Sequence, residues 1–141
     1  MYFRKGSGMP DKISDIKGMD PDAQGKLEAT GIKTTDDLLA HTANQSERNS
    51  LAKQLGVSSS QLTEWINRAD LMRLKGVGKE MANLLEDAGV DSCKELQHRN
   101  AENLQTRLHD TNQEKHITHH APTLAQVTDW IAEAARFVAA P

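Results

Sequence analysis

The sequence predicts an all-α fold built from a duplicated helical unit. Apolar residues recur at the three- and four-residue spacing of a helix face, most clearly at Met81, Leu84, Leu85 and Ala88. Two stretches around Gly18 and Gly76 match at one offset of 58 residues (76 − 18). Two tryptophan-bearing segments match at a second offset. We therefore expect two tandem repeats with connecting helices, related by a pseudo-twofold axis and packed as a single compact domain.

The most informative stretch covers residues 71–90, LMRLKGVGKEMANLLEDAGV. Glycine adopts positive φ at no steric cost, so Gly76 and Gly78 around Val77 predict a very tight turn. A helix from Lys79 to Ala88 follows, and Gly89 stands where a helix C-terminal glycine belongs. The first turn of that helix presents N–H groups and a partial positive charge, which suit a phosphate.

The upstream copy differs from this stretch at one informative position. Ile16-Lys17-Gly18-Met19-Asp20 aligns with Leu74-Lys75-Gly76-Val77-Gly78, and the match continues through Gly31 and Gly89. Asp20 replaces Gly78 and, followed by Pro21, is a good helix N-cap. A carboxylate there would repel a phosphate, so we expect the first hairpin to be structural and the second to be the contact.

Short capped helices connect the two copies. Thr34 or Thr35 can cap the first of them, and Ser92 with Glu95 has the spacing of a capping box in the second copy. A helix from Asn44 to Leu55 should end at Gly56. Ser58 or Ser59 should then open a longer helix that runs through Trp65 into Leu71.

The second tryptophan segment repeats the first with an insertion. Trp65-Ile66 and Trp130-Ile131 match at an offset of 65 (130 − 65), so seven residues are inserted within His109 to Thr123. Thr123 should cap the final helix, from Leu124 to about Ala139. Both tryptophans are expected to be core anchors, and the apolar face of the last helix either packs on the first copy or docks a partner.

These elements add up to about ten helices. Residues 1–10 form a flexible leader or a remnant of cloning, residues 11–71 the first repeat and residues 72–141 the second.

The stretch LKGVGKEMANLLEDAGV resembles a helix-hairpin-helix motif, with an L-x-G-V-G core and an apolar helix ending in A-G-V. Similar motifs occur in DNA polymerase beta, NAD-dependent DNA ligases and archaeal recombinases. There the hairpin backbone binds DNA phosphates without reading sequence. By this resemblance, four residues would contact DNA: Gly76, Val77, Gly78 and Lys79.

Over most of Ile13 to Val138 the chain also resembles the bacterial family called domain of unknown function 4332. That family is similar in its paired helix-hairpin-helix units and in its W-[IV]-x-x-A helices, here Trp65 to Ala69 and Trp130 to Ala134. This resemblance implies the fold and says almost nothing about function.

Charge adds a local argument for DNA and a global argument against it. The basic residues around the second hairpin are Arg68, Arg73, Lys75 and Lys79, with Asp70 among them. The alternative is a solvated helix face with ordinary mixed charge. The formal net charge of −3 is unlike that of a strong general nucleic-acid binder.

The sequence therefore leaves two functions open. The first is a non-enzymatic module that binds the DNA backbone through Arg73, Lys75, Gly76, Val77, Gly78 and Lys79. The second is a protein-interaction module that has lost DNA binding. The sequence indicates neither the natural partner nor the oligomeric state.

Other chemistry has little support in the sequence. His116, His119 and His120 lack a second ligand pair for a metal, and Cys93 has no companion cysteine. We expect no cofactor, no metal and no enzymatic activity, because no constellation supplies a nucleophile, a base and oxyanion donors together. No apolar run is long enough to span a membrane, and no signal peptide is visible. The single cysteine fits a reducing, cytoplasmic location.

Overall fold

A computed structural model describes residues 11–139, and this part of the chain is helical throughout. It contains eight α-helices and one short 3₁₀ helix, Ile13–Asp15, so the expectation of about ten helices was slightly too high. Its one β-type feature is an isolated bridge between Lys12 and Thr34. The all-α prediction is confirmed, whereas the predicted leader lies outside the described residues.

The helix bounds follow the predicted segments closely. In chain order the helices are α1 (Pro21–Ala29), α2 (Thr35–Ala40), α3 (Gln45–Leu55), α4 (Ser59–Met72), α5 (Lys79–Asp87), α6 (Cys93–Leu96), α7 (Ala101–Lys115) and α8 (Leu124–Ala139). The insertion expected between His109 and Thr123 is only partly a loop, because α7 continues to Lys115. No helix among the described residues is both long and apolar enough to pass through a lipid bilayer.

The chain divides into two compact units, with the division between Gly76 and Val77. In the first unit, α2 and α3 both pack against α4, and α1 packs against α3. In the second, α6 and α7 both pack against α8, and α5 packs against α7. The pseudo-twofold relation stays a prediction.

Trp65 is the largest side chain in the core of the first unit. It is 1% exposed and is surrounded in the sequence by other buried positions of α4, including Leu62 and Ile66. Its indole nitrogen lies 4.0 Å from where a Cβ on Gly18 would stand. The prediction that Trp65 is a core residue is therefore confirmed.

The second unit is organised in the same way around α8. This helix buries Val127, Trp130 and Ala134, and Trp130 is 2% exposed, as predicted for a core anchor. A flanking part of its apolar surface is left uncovered, because Leu124 is 45% and Val138 38% exposed.

Side-chain caps begin most of these helices, at the polar residues that the sequence suggested. The caps of α1 to α4 are Asp20, Thr34, Asn44 and Ser58. Ser92 and Asn100 cap α6 and α7. In α8 the Thr123 hydroxyl accepts a hydrogen bond from the Gln126 N–H at 3.1 Å. The Glu95 carboxyl does not complete the predicted capping box, since it is hydrogen-bonded with Asp91 instead.

Glycines with positive φ end α1 and α5 in the same way. The φ angles of Gly31 and Gly89 are 89° and 95°. In α5 the Val90 N–H donates to the Leu85 carbonyl and the Gly89 N–H donates to the Glu86 carbonyl, both at 2.9 Å. These two bonds define a Schellman motif, and α1 makes both equivalents at positions 58 residues earlier.

The cap of α2 makes stability depend on pH. Asp37 is partly buried, which raises the pKa of its carboxyl. Hydrogen bonds from the Lys33 and Thr34 N–H groups, at 3.0 and 3.2 Å, outweigh this effect, so the pKa of Asp37 lies below its ordinary value. A depressed carboxyl pKa stabilises the fold above the unfolded-state pKa, about 3.9, and this contribution is lost as the pH falls through the folded-state pKa.

We expect Asp37→Asn to cost on the order of 1 kcal/mol at pH 7, as for other N-terminal capping groups. The difference from the wild type should shrink as the pH falls below about 4, where the wild-type carboxyl becomes protonated. Urea unfolding of both proteins at pH 7 and pH 3 measures it. A pH-independent difference would show that the charge of Asp37 does not contribute.

Candidate nucleic-acid interface

The six candidate residues, Arg73 to Lys79 without Leu74, lie in the turn between α4 and α5. Because the division between the units falls inside this turn, its two sides are described separately. On the first side, Arg73 is the C-cap of α4 and Gly76 has a φ of 82°. On the second side, Val77 is fully buried and Gly78 is the N-cap of α5. The positive φ predicted for a glycine of this turn is therefore found at Gly76.

Local geometry around Gly18 closely resembles that around Gly76. The two φ angles are 79° and 82°. The Ile16 N–H donates to the Ile13 carbonyl at 3.1 Å, and 58 residues later the Leu74 N–H donates to the Leu71 carbonyl at the same distance. The two turns thus share a backbone conformation and differ mainly in their side chains.

The start of the following helix is where the two turns diverge. In α1 a carboxylate oxygen of Asp20 accepts a hydrogen bond from the Ala23 N–H at 3.2 Å. In α5 the Gly78 cap provides no side-chain hydrogen bond. A Cβ added at Gly78 would meet nothing within 4 Å, so the space in front of this helix end is open. The positive end of the α5 dipole is therefore left without a side-chain acceptor.

The four basic residues assigned to the second hairpin are not equally available. Arg68 is buried, with 5% exposure. The Arg73 guanidinium is 12% exposed and lies 2.7 Å from the Asp70 carboxylate, with which it forms an ion pair. Lys75 and Lys79 are exposed. The cationic surface contributed by this set therefore comes from two lysines rather than from four side chains.

The Asp70–Arg73 pair could have been read from the sequence. Oppositely charged residues three positions apart on a helix are neighbours, and this pair sits in the last turn of α4. The burial of Arg68 could not have been read in this way, because it depends on how α4 packs.

Around the first hairpin, Lys26 is already engaged. Its ammonium lies 3.0 Å from the Asp22 carboxylate and donates a hydrogen bond to the Leu55 carbonyl at 3.5 Å. Lys26 thus serves the C-terminal end of α3, where Gly56 is in the left-handed conformation. Together with Asp20, this favours a structural role for the first hairpin.

Two acidic residues form a pair that the sequence pattern did not single out. Burial raises the pKa of the Glu95 carboxyl, and the hydrogen bond with Asp91 and its charge raise it further, whereas Arg99 opposes the shift. The i, i+4 spacing of Asp91 and Glu95 was the available signal. This pair belongs to the start of α6 and lies outside the candidate hairpin.

The described residues contain no group of three or more histidine, cysteine or acidic side chains placed to hold a metal ion. Cys93 is a free thiol and is fully buried at the start of α6, where it packs as a small apolar side chain. Four histidines instead line a cavity after α7.

The fold and the uncapped helix start define a class: an all-helical protein with two matching glycine turns, one of which is open at its helix end. The chain belongs to the family described as Domain of unknown function (DUF4332), whose model matches residues 17–137. No curated protein and no solved structure matches the chain.

Proposed function

We propose that residues 16–32 and 74–90 are two helix-hairpin-helix motifs and that the second binds nucleic-acid backbone phosphates. In this proposal the protein is a non-enzymatic, cytoplasmic accessory module without sequence preference. The matching φ angles of Gly18 and Gly76 and the shared Schellman motifs support a common motif. The sequence resemblance to motifs that bind DNA supports the ligand.

The observation that carries the proposal is the difference between the two helix starts. The same backbone turn precedes α1 and α5, yet Asp20 supplies an acceptor to α1 whereas Gly78 supplies none to α5. Backbone N–H groups and the dipole at a helix N-terminus favour an anion. A phosphate oxygen at α5 would take the place that the Asp20 carboxylate occupies at α1.

The other candidate residues divide into contact and positioning roles. Lys79, at the first helical position of α5, and Lys75 would supply positive charge from exposed side chains. Gly76 and Gly78 leave open space where a Cβ would stand, which allows a phosphate to approach the backbone. Val77 anchors the turn in the core, and Arg73, paired with Asp70, is a positioning residue.

The affinity of such a site should be modest. Each phosphate neutralised by a lysine or arginine contributes about −0.9 to the slope of log K against log salt on duplex DNA. Two exposed lysines therefore predict a slope of about −2. The absence of a basic surplus in the chain, whose net charge is −3, fits weak binding strengthened by attachment to a larger assembly.

The experiment is a salt titration of binding to labelled double- and single-stranded DNA, followed by fluorescence anisotropy. We expect measurable binding at low salt that weakens with a slope of about −2 on the duplex. The Lys75→Glu/Lys79→Glu double variant should bind at least tenfold more weakly, because two attractive charges become repulsive.

Lys17→Glu/Lys94→Glu is the matched control. It makes the same change in net charge at two exposed lysines, and Lys17 is the first-hairpin counterpart of Lys75. This control should keep most of the wild-type affinity. Equal losses in both double variants would reduce the effect to overall charge and would count against a site at the second hairpin.

The second candidate function is a protein-interaction module. The observation that favours it is the exposed apolar surface of α8, where Leu124 and Val138 are the large hydrophobic side chains left most accessible. A folded wild-type protein that binds neither form of DNA at low salt would favour this function over the first.

A further inference from the structure

Four of the six histidines of the chain line one cavity. His109 lies in the second half of α7, His116 is the C-cap of that helix, and His119 and His120 follow in the connection to α8. The cavity has a volume of about 250 Å³ and lies entirely within the second unit. It is independent of the hairpin site proposed above.

Hydrogen bonds within the segment fix the frame of the cavity. The Asn112 side chain accepts a bond from the Thr118 N–H at 2.8 Å and donates one to the Thr118 carbonyl at 3.1 Å. The Thr118 hydroxyl donates to the His120 carbonyl at 2.8 Å. The polar groups of Asn112 and Thr118 are thus used to hold the loop against α7.

The imidazoles are not used in this way. Within the described residues, the rings of His116, His119 and His120 make no hydrogen bond, although the last two rings contact each other at 4.7 Å between centroids. His109 lies 3.5 Å from Asp110. Three imidazoles are therefore available to a ligand in the cavity.

The backbone at His116 gives a second, independent sign. Its φ of 51° and ψ of 48° are left-handed, and it is the only residue other than glycine with positive φ between residues 11 and 139. Glycine or asparagine ordinarily occupies such a helix end with less strain. The chain instead places an imidazole at this point, beside the cavity.

Charges around the cavity decide the class of ligand. No carboxylate lines it: the nearby acids of α7 are Asp110 and Glu114, and Asp87 of α5 is paired with Lys115 at 3.7 Å. Histidine ordinarily titrates near pH 6.5, so mildly acidic solution turns the lining into a set of cationic N–H donors. The C-terminal dipole of α7 stabilises the protonated rings and opposes an anion by only about 0.3–1 kcal/mol.

We propose that this cavity binds a small tetrahedral oxyanion, of the phosphate or sulfate type, when its histidines are protonated. The imidazolium groups donate hydrogen bonds to the oxyanion, and the Asn112–Thr118 clamp holds the loop that carries them. The anion is either free in solution or part of a phosphate ester, because both present the same oxygens.

The test uses sulfate first, because sulfate keeps its charge of −2 across the pH range and its pH dependence therefore reports the protein. Two-dimensional NMR of the histidine rings and thermal unfolding are followed in sulfate and in chloride of equal ionic strength. We expect saturable sulfate binding at pH 5.5 that weakens at least tenfold at pH 8. Inorganic phosphate and a short single-stranded oligonucleotide then separate the free anion from the ester.

The variants separate binding from folding. His116→Asn suits the left-handed backbone and should leave stability unchanged or higher while weakening sulfate binding at least threefold. His119→Gln/His120→Gln should remove the pH-dependent binding. His41→Gln/His98→Gln removes two histidines that do not line the cavity and should bind sulfate like the wild type.

Several results would overturn the proposal. They are a sulfate effect no larger than that of chloride, equal binding at both pH values, or binding that survives in His119→Gln/His120→Gln. Saturable Zn²⁺ binding by these rings at pH 8, with none of sulfate at pH 5.5, would assign the cavity to a metal ion instead.

Discussion

Gly78→Asp should abolish DNA binding and leave the fold intact. The substitution gives the second hairpin the residue that the first hairpin carries at Asp20. Gly78 has an extended backbone, with a φ of −100°, and a Cβ there meets nothing within 4 Å. The new side chain is therefore accommodated without strain and can cap α5 as Asp20 caps α1.

The two consequences of this substitution have opposite signs. A side-chain acceptor and a negative charge at a helix N-terminus are favourable, and aspartate in place of glycine at this position gains a few tenths of a kcal/mol. The same carboxylate occupies the position proposed for a phosphate oxygen and repels it. Anisotropy should show at least tenfold weaker DNA binding, while urea unfolding shows equal or greater stability.

Gly25→Asp is the control, since it adds the same charge to α1 in the first unit. A Cβ at Gly25 also meets nothing within 4 Å, and aspartate has a slightly better helix propensity than glycine. This variant should be stable and should bind DNA like the wild type. Retained binding in Gly78→Asp would place any DNA site elsewhere than the start of α5.

Features determined by neighbouring residues were predictable from the sequence. The caps at Asn44 and Thr123 depend on a side chain three residues before the N–H that it meets, and both follow from this spacing. The helix ends at Gly56 and Gly89 follow from the ease with which glycine adopts positive φ. Because these signals repeat at one offset, the duplicated pattern can be recognised from the order of the residues alone.

Features determined by packing were not predictable in this way. Sequence proximity grouped Arg68 with the hairpin cations, but the position of α4 in its unit buries it. The helical period of α7 continues through the expected loop to Lys115, so the inserted residues lengthen a helix as well as a connection. The gathering of His109 with His116, His119 and His120 depends on the Asn112–Thr118 clamp, which has no short-range signature.

Trp65→Ala should be among the most destabilising substitutions in the first unit. The indole is 1% exposed and lies beneath the turn at Gly18. Replacing a buried tryptophan by alanine ordinarily costs about 3–5 kcal/mol, because apolar contacts are lost and a cavity remains. That is a large part of the stability of a small domain, which is about 5–15 kcal/mol.

Trp65→Phe should be much milder, for a reason specific to this site. The Trp65 indole N–H is buried and has no hydrogen-bond partner among the described residues. An unpaired buried donor costs about 1–3 kcal/mol, so its removal offsets part of the packing lost with the smaller ring. We expect a net change within about 1.5 kcal/mol of the wild type, as for other conservative core exchanges.

Urea unfolding followed by far-UV circular dichroism measures both variants without relying on the tryptophan signal. Glu64→Ala, at an exposed neighbour on the same helix, should stay within about 0.5 kcal/mol of the wild type and controls for changes in α4 itself. If Trp65→Phe were as costly as Trp65→Ala, the indole nitrogen would have to be satisfied in solution. The space beneath Gly18 would then hold a bonding partner, and the first hairpin would be fixed by a polar contact rather than by packing alone.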